Sequence, residues 1–403
     1  MYNRQVRLKG ESQDFKSIGR RHPWFFSGAF FPSDLRALSD GEAVEVVTKS
    51  GLHIGTGYYE RGGSIAVRML SFGEVQKSID EGFFRDKIST AYKMRQMLGL
   101  TGRGKGYRLI YGEGDGLPGL VADVYSGVAV IQAHTTGMAL RRELIASALK
   151  EVMGDEITGI YSKSEGTLRF HGSDEERLYS RDTVLWGEVK ELPFVENGVT
   201  FKPDIIKGQK TGFFLDQRDN RLLLQRYSEG KKVLNMFCYT GGFSLCALRG
   251  GASEVTSVDS SEQAISLLEQ NLALNPTLMA PHHPVVQDAF KYLEGMEESH
   301  FDIVVLDPPA FAKNRSALSH ALQGYRRLNT LALEKMPRRS LLFTFSCSQV
   351  VTPELFRNTI FTAALQAKRN VRILHQLTQA ADHPVSVFHP EGEYLKGLVL
   401  YVE

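Results

Sequence analysis

VLNMFCYTGGFS, Val233 to Ser244, places an apolar run directly before a glycine-containing turn and the start of a helical pattern. Such a stretch reads as a buried strand whose carboxyl end opens onto a ligand, because small residues in the turn let the backbone approach it. The spacing is not G-x-G-x-x-G, and no G-x-x-x-x-G-K-[ST] occurs in the chain, which counts against a dinucleotide phosphate loop and against nucleotide triphosphate hydrolysis. Around this stretch, from about Val189 onward, strand and helix patterns alternate. The candidate strands are KKVLNMF, EVTSVD, PVVQD, FDIVVLD and SLLFTFSC, followed by VRILHQL and GLVLYVE on either side of a Pro-rich loop. That alternation predicts a mainly parallel, doubly wound sheet with helices on both faces and an antiparallel edge.

Three of these strands end in a carboxylate. Asp259 lies 24 positions after Asn235, where an acidic residue can accept hydrogen bonds from ribose hydroxyls. Asp288 ends PVVQD and can meet an adenine amino group; Asp307 ends FDIVVLD. Each alone can be a cap for the following helix, but three beside one glycine turn point to a nucleoside site. LDPPAF, Leu306 to Phe311, adds two prolines that fix φ and remove donors, making a rigid edge for a planar group. In LLFTFSCS, Cys347 stands at a strand's carboxyl end on the crevice that Asp307 faces, placed for nucleophilic work; a buried inert thiol is the ordinary alternative. Upstream, Gln209, Lys210, Thr211, Asp216 and Arg218 of KGQKTGFFLDQRDNR either cover a bound cofactor or form a solvated loop with a helix cap.

The remainder of the chain is of a different kind. Its 403 residues correspond to roughly two to three domains. Up to about Leu70, short apolar runs alternate with Gly-rich turns, as in a small antiparallel β-domain. Ahead of them Arg4, Arg7, Lys9, Lys16, Arg20 and Arg21 outnumber Glu11 and Asp14 and adjoin Trp24 and Phe25. That pattern suits a phosphate-and-base surface, or equally a solvated basic face with Trp24 and Phe25 in the core. A helical pattern from Gly82 to about Met97, the turn GEGDGLPG, a helix from Met138 to Val152 and the pair ITGIYSKS and TVLWGEVKEL form a second α+β unit. The expected division is 1–72, 73–188 and 189–403.

Composition narrows the setting. Hydrophobic residues are 42% and charged residues 23%, ordinary for a globular chain. The formal charge of +2 is too mild to indicate nucleic-acid binding by itself. Three cysteines without C-x-x-C spacing exclude a disulfide framework or a cysteine zinc knuckle, and no metal site is expected. With no signal-like h-region and no apolar run near about 18 residues, secretion and membrane insertion are not expected, and a reducing cytoplasm fits best.

Together the motifs resemble the class I S-adenosylmethionine-dependent methyltransferases and, over nearly the whole length, the ribosomal RNA large subunit methyltransferase I family. RRHPWFFSGAF and the β-repeat resemble that family's PUA RNA-binding domain, a small β-barrel. YRLIYGEGDGLPGLVADVY resembles its central α+β domain. GQKTGFFLDQRDNR, NMFCYTGGFS, LDPPAF, SCS and HPEGEYLKGL resemble its catalytic domain, with a Rossmann-like sheet. The resemblance implies S-adenosyl-L-methionine as cofactor and 5-methylcytosine in 23S ribosomal RNA, or in an assembling large subunit, as product. It implies that the turn from Asn235 to Phe243, with Phe237, Tyr239, Thr240 and Gly241, holds the methionine part, Asp259 the ribose and Asp288 the adenine, with Ser260 also among the cofactor-binding residues. Gln209, Thr211, Asp216 and Asp307 would complete the cofactor site. Cys347 would attack C6, Asp307 would bond the pyrimidine edge, and Pro308, Pro309 and Phe311 would position the extruded base, with Arg20, Arg21 and Trp24 on the RNA. Ala310 stands where many RNA cytosine-5 methyltransferases have a second cysteine. Rival readings are methylation of a base nitrogen and a non-catalytic RNA-binding assembly factor.

Overall fold

The structure is a computed structural model, and it describes residues 4–73, 78–168, 178–312 and 314–403. The chain forms two compact units: Met1–Phe194 with Pro203–Phe213 and Ala381–Gly392, and Val195–Lys202 with Phe214–Ala380 and Glu393–Glu403. Each of the three segments expected from the sequence carries its own large sheet. The division at 72/73 nevertheless changes sheet without changing compact unit, because Tyr58 and Leu70 of the first segment share a core cluster with Phe84, Leu109, Ile131 and Leu149 of the second.

In the first unit, the strands Arg4–Arg7, Ala43–Val47, His53–Tyr59, Ile65–Phe72 and Trp24–Phe26 lie side by side in that order. The first pair is parallel, so this sheet is mixed where the period-2 pattern predicted an antiparallel one. An antiparallel bridge between Leu8 and Phe30 links its two outer strands' continuations and closes it around Val6, Phe25, Val44, Val67 and Met69. The second sheet runs Thr183–Gly187, Gly159–Ser162, Val128–Ala133, Leu120–Tyr125, Gly106–Tyr111. Its one parallel pair, Val128–Ala133 with Gly159–Ser162, is joined through the helix Arg142–Met153, as a parallel connection requires.

The second unit is built on strands β1 (Lys232–Met236), β2 (Glu254–Asp259), β3 (His282–Val286), β4 (Ile303–Leu306), β5 (Ser340–Ser346), β6 (Val371–Leu377) and β7 (Lys396–Val402). Their order across the sheet is β3-β2-β1-β4-β5-β7-β6. All neighbours up to β5 are parallel, and β7 is antiparallel to both β5 and β6. Alternate side chains serve opposite faces: Leu234, Val304, Leu306 and Leu342 enter one core, whereas Val233, Ile303, Val305 and Phe343 enter another. Two-sided burial explains why β1, β4 and β5 read as largely apolar runs. Each buried large apolar side chain contributes about 1.5–3 kcal/mol. Six helices alternate with the strands: α1 (Arg218–Tyr227), α2 (Gly242–Arg249), α3 (Glu262–Ala273), α4 (Ala289–Gly295), α5 (Leu318–Lys335) and α6 (Pro353–Gln366). The strand order reverses between β1 and β4, which opens a crevice at their carboxyl ends. No helix among the described residues is long and apolar enough to cross a membrane.

Candidate active site

The turn after β1 is held in an unusual conformation. Phe237, Tyr239 and Gly241 all have positive φ, at 57°, 46° and 83°. For the two non-glycine residues this costs on the order of 1–3 kcal/mol each, so surrounding bonds must impose it. They are Cys238 N–H to Val258 O at 3.1 Å, Gly241 N–H to Cys238 O at 2.8 Å and Tyr239 N–H to Asp259 Oδ2 at 3.0 Å. Asp259 also accepts from Ser261 N–H through Oδ1 at 2.9 Å, so one carboxylate ends β2 and fixes the turn. It stays partly exposed, with lone pairs left for further donors, and Ser260 beside it is exposed. The Tyr239 ring stands edge-on to Phe214 at 5.2 Å. Thr240 is buried, and its hydroxyl has no hydrogen-bond partner among the described residues.

Two residues expected here also make bonds within the fold, while Asn235 Oδ1 has no hydrogen-bond partner among the described residues. Asn235 is 1% exposed and donates to Ser244 Oγ at 2.8 Å, which continues to Ser257 and His282. It ties β1 to α2 inside the sheet, because in-strand alternation points it at the helix layer. Asp288 lies two residues beyond β3 and caps α4, accepting from Lys291 N–H at 3.1 Å. The cap reading describes its resting state.

Around the carboxyl ends of β4 and β5 the chain collects a dense set of ionisable groups. β4 and β5 are paired with Leu306 opposite Thr344, so the residues after each strand emerge together. Cys347 donates its thiol to Pro308 O at 3.8 Å. Gln217, just ahead of α1, hydrogen-bonds the Asp307 carboxyl. Burial, with the Asp216 carboxylate adding like-charge repulsion, pushes Asp307 up to about 7. Burial, and then Asp307 and Asp216, push the Cys347 thiol up to about 12, so it rests as a thiol. Asp216 accepts from Tyr394 O–H through Oδ2, while its buried Oδ1 has no partner among the described residues. The loop carrying Asp216 is pinned by Arg221, which donates to Phe214 O at 2.9 Å and pairs with Glu196 at 2.7 and 2.9 Å. Lys396 on β7 donates to Ser348 O and Tyr394 O. Sequence reading missed Gln217, Tyr394 and Lys396. Gln217 stands beside Asp216 in LDQRDNR, and YLK within HPEGEYLKGL, which carries Tyr394 and Lys396, becomes legible only when β7 pairs with β5.

Other expected residues are placed differently. Pro308 is buried and Pro309 exposed, but Phe311 lies tilted on Tyr325 at 4.6 Å, with one ring face already covered. Gln209 and Thr211 fall in the first unit, where the buried Thr211 hydroxyl bonds Asp123 and Tyr125. Of the amino-terminal cations, Arg4 pairs with Glu42 and Arg7 with Asp34, while Arg20 and Arg21 stay exposed. Trp24 donates to Glu113 at 2.7 Å, with Arg68 over its ring at 5.3 Å and His389 edge-on at 4.5 Å. These contacts hold Trp24 half-buried, while Phe25 lies in the core. His22, His389 and Glu391 bring potential ligand atoms within 4.8 Å of one another. However, His22 Nδ1 accepts from Trp24 N–H at 3.1 Å, so in the neutral ring the proton sits on Nε2, which donates to Glu391 at 3.2 Å. A metal would need that lone pair.

The chain is similar to known proteins over its whole length. The family model for S-adenosylmethionine-dependent methyltransferases matches residues 109–382, and a PUA-like domain matches residues 6–72. Ribosomal RNA large subunit methyltransferase I of Escherichia coli O139:H28 is 39% identical over 99% of this chain and 99% of its own, and that of Shigella dysenteriae serotype 1 is 39% identical over 99% and 98%. Among solved structures, the methyltransferase SMU.776 complexed with SAH superposes with a TM-score of 0.81 at 25% identity, covering 99% of this chain and 100% of that one. A methyltransferase from Streptococcus mutans shares the fold, with a TM-score of 0.80 at 24% identity over 98% and 99% of the two chains. The cofactor is S-adenosylmethionine. Its hydroxyl and amino groups match a donor-seeking set of Asp259, the orphaned Asp216 Oδ1 and the unpartnered Thr240 hydroxyl. A strained glycine turn beside the acidic end of β2 and a full-length match to these enzymes leave one assignment: the chain belongs to the ribosomal RNA large subunit methyltransferase I family of S-adenosylmethionine-dependent methyltransferases, with a PUA-like domain at its amino terminus.

Proposed function

We propose that this protein methylates C5 of a cytosine in 23S ribosomal RNA, in the cytoplasm, through a covalent bond from Cys347 to C6. The reading rests on one observation above all: the Cys347 thiol bonded to Pro308 O, one residue from the Asp307 carboxyl. C5 of a pyrimidine is a poor nucleophile until a thiolate adds at C6. When bound, S-adenosylmethionine supplies an electrophilic methyl group. The turn from Phe237 to Gly241 and Asp259 would hold it, with Asp216 and Thr240 contributing their unpartnered atoms and Asp288 the adenine edge.

Asp307 is suited to move the proton. Its carboxylate takes the thiol proton, the Sγ–C6 bond forms, and the resulting acid passes the proton to N3 as charge develops there. C5 then accepts the methyl group and loses its proton to solvent. N3 returns its proton to Asp307, the C5–C6 double bond reforms, and the thiolate leaves. Because Phe311 is packed on Tyr325, the base would meet Pro309 and the free edge of that pair. Arg20 and Arg21 are the exposed cations offered to RNA phosphates.

A second reading, methylation of a ring or exocyclic nitrogen, is favoured by the thiol's being pushed up to about 12, since that reaction needs no thiolate. Labelled methyl transfer to unmodified ribosomal RNA, followed by nucleoside analysis, separates the two. Label in 5-methylcytidine that vanishes in Cys347→Ala is expected. Label in a nitrogen-methylated base, or transfer that survives the substitution, overturns the covalent reading. Cofactor binding with no transfer to any RNA would identify a non-catalytic RNA-binding protein.

A further inference from the structure

Lys396 carries a buried charge that the mechanism above does not use. It is 5% exposed, and its Nζ donates to Ser348 O at 2.7 Å and Tyr394 O at 2.6 Å. Two of its three donors are thereby engaged by neutral carbonyls. Among the described residues no carboxylate forms an ion pair with it. Removing an ammonium from water without a counter-ion costs several kcal/mol. A purely structural position would be served more cheaply by an uncharged donor.

Its placement in the chain singles out one neighbour. On β7 its backbone is paired with Ser346 of β5, and its ammonium holds the carbonyl of Ser348. The residue between those two anchors is Cys347. The charged and titratable groups acting on the thiol come from four elements: Asp307 after β4, Asp216 ahead of α1, Tyr325 on α5 and Lys396 on β7, with Glu393 acting on Lys396 in turn. The two carboxylates oppose a thiolate, and Lys396 is the cation among them.

We propose that Lys396 is a positioning residue that supplies the positive charge against which the Cys347 thiolate forms. This rests on the role given above to Cys347. When the S–H bond breaks, the electron pair stays on Sγ, the ammonium held on the next residue's carbonyl offsets its charge, and the proton passes to Asp307. Lys396 itself transfers no proton. Burial lowers it to about 8, which still leaves it charged at neutral pH.

The test needs neither RNA nor cofactor. The full-length protein is treated with iodoacetamide between pH 7 and 10, and the rate at Cys347 is read by peptide mass spectrometry; the S–C bond forms and iodide leaves. Relative to wild type, Lys396→Met is expected to alkylate about tenfold more slowly at pH 7, a rise of about one unit in the apparent thiol pKa, with the difference fading above pH 8 as the wild-type lysine loses its own charge. Lys396→Arg, which keeps the charge, restores most of the rate, a rescue that a space-filling role would not produce. Circular dichroism and melting report the fold, and if the Met variant does not fold, Lys396→Gln gives the same comparison. A profile for the neutral variants that superposes on wild type overturns the proposal. Failure of the cytosine-C5 reading would be seen separately, as label in another nucleoside or transfer by Cys347→Ala.

Discussion

Asp307→Asn is expected to make the second unit more stable at pH 8 while removing methyl transfer. The carboxyl titrates near 7 in the folded protein against an ordinary 3.8. A carboxyl raised on folding is a liability wherever the unfolded chain has already released its proton. The folded state then binds more protons, so stability falls as pH rises from about 4 to about 7 and stays low above that. With about 1.36 kcal/mol per pH unit, the gap between the two values corresponds to a penalty of about 4 kcal/mol above neutrality, of which about 2.5 kcal/mol develops between pH 5 and pH 8. Allowing for the carboxyl's partial exposure, the growth in that interval is about 1–2.5 kcal/mol. Asparagine keeps the size and the bond to Gln217 but cannot ionise. Urea unfolding of both proteins at pH 5 and pH 8 is the assay. The stability gain of the variant should be larger at pH 8 by that amount, equivalent to several degrees in melting temperature. A gain that is the same at both pH values would refute the assignment of a raised carboxyl, and with it the proton relay from Cys347 to N3.

Other consequences can be measured independently. Gly241→Ala puts a Cβ 2.7 Å from Leu268 and 2.9 Å from Leu245 at a φ of 83°. Calorimetry should show a loss of at least about 1–3 kcal/mol, and S-adenosylmethionine titration should show weakened binding. Glu196→Gln removes the carboxylate that pairs directly with the buried Arg221 and should cost about 3–5 kcal/mol in denaturant unfolding. Arg20→Gln combined with Arg21→Gln should lower the salt dependence of RNA binding, measured as the slope of log K against log salt, by about 1.5 if both contact phosphate, without shifting the melting temperature.

Much of the catalytic unit was legible from local pattern. Strands buried on both faces must be apolar throughout, so β1, β4 and β5 stand out against their polar helices, and the alternation of strands with helices marks the parallel sheet. Asp259, Asp307 and Cys347 were readable because a strand's carboxyl end is a position in sequence as well as in space. The bonds that fix Tyr239 to Asp259 could not be read, nor could the commitment of Asn235 to Ser244, of Trp24 to Glu113 and of Phe311 to Tyr325. Each depends on which face a side chain takes and on what another element presents there.

By itself, the sequence determined the doubly wound sheet, the glycine turn, the acidic strand ends and the thiol, because those features arise from the periodicity of a single strand or the chemistry of a single turn. Only the tertiary structure decided the rest. Pairing β7 against β5 brings Lys396, 49 positions after Cys347, to the carbonyl of Ser348 next along the chain from the thiol, and a loop ahead of α1 brings Asp216 against Asp307. Ionisation depends on desolvation and on charges a few ångströms away, and those distances are set by strand register and burial rather than by neighbours along the chain.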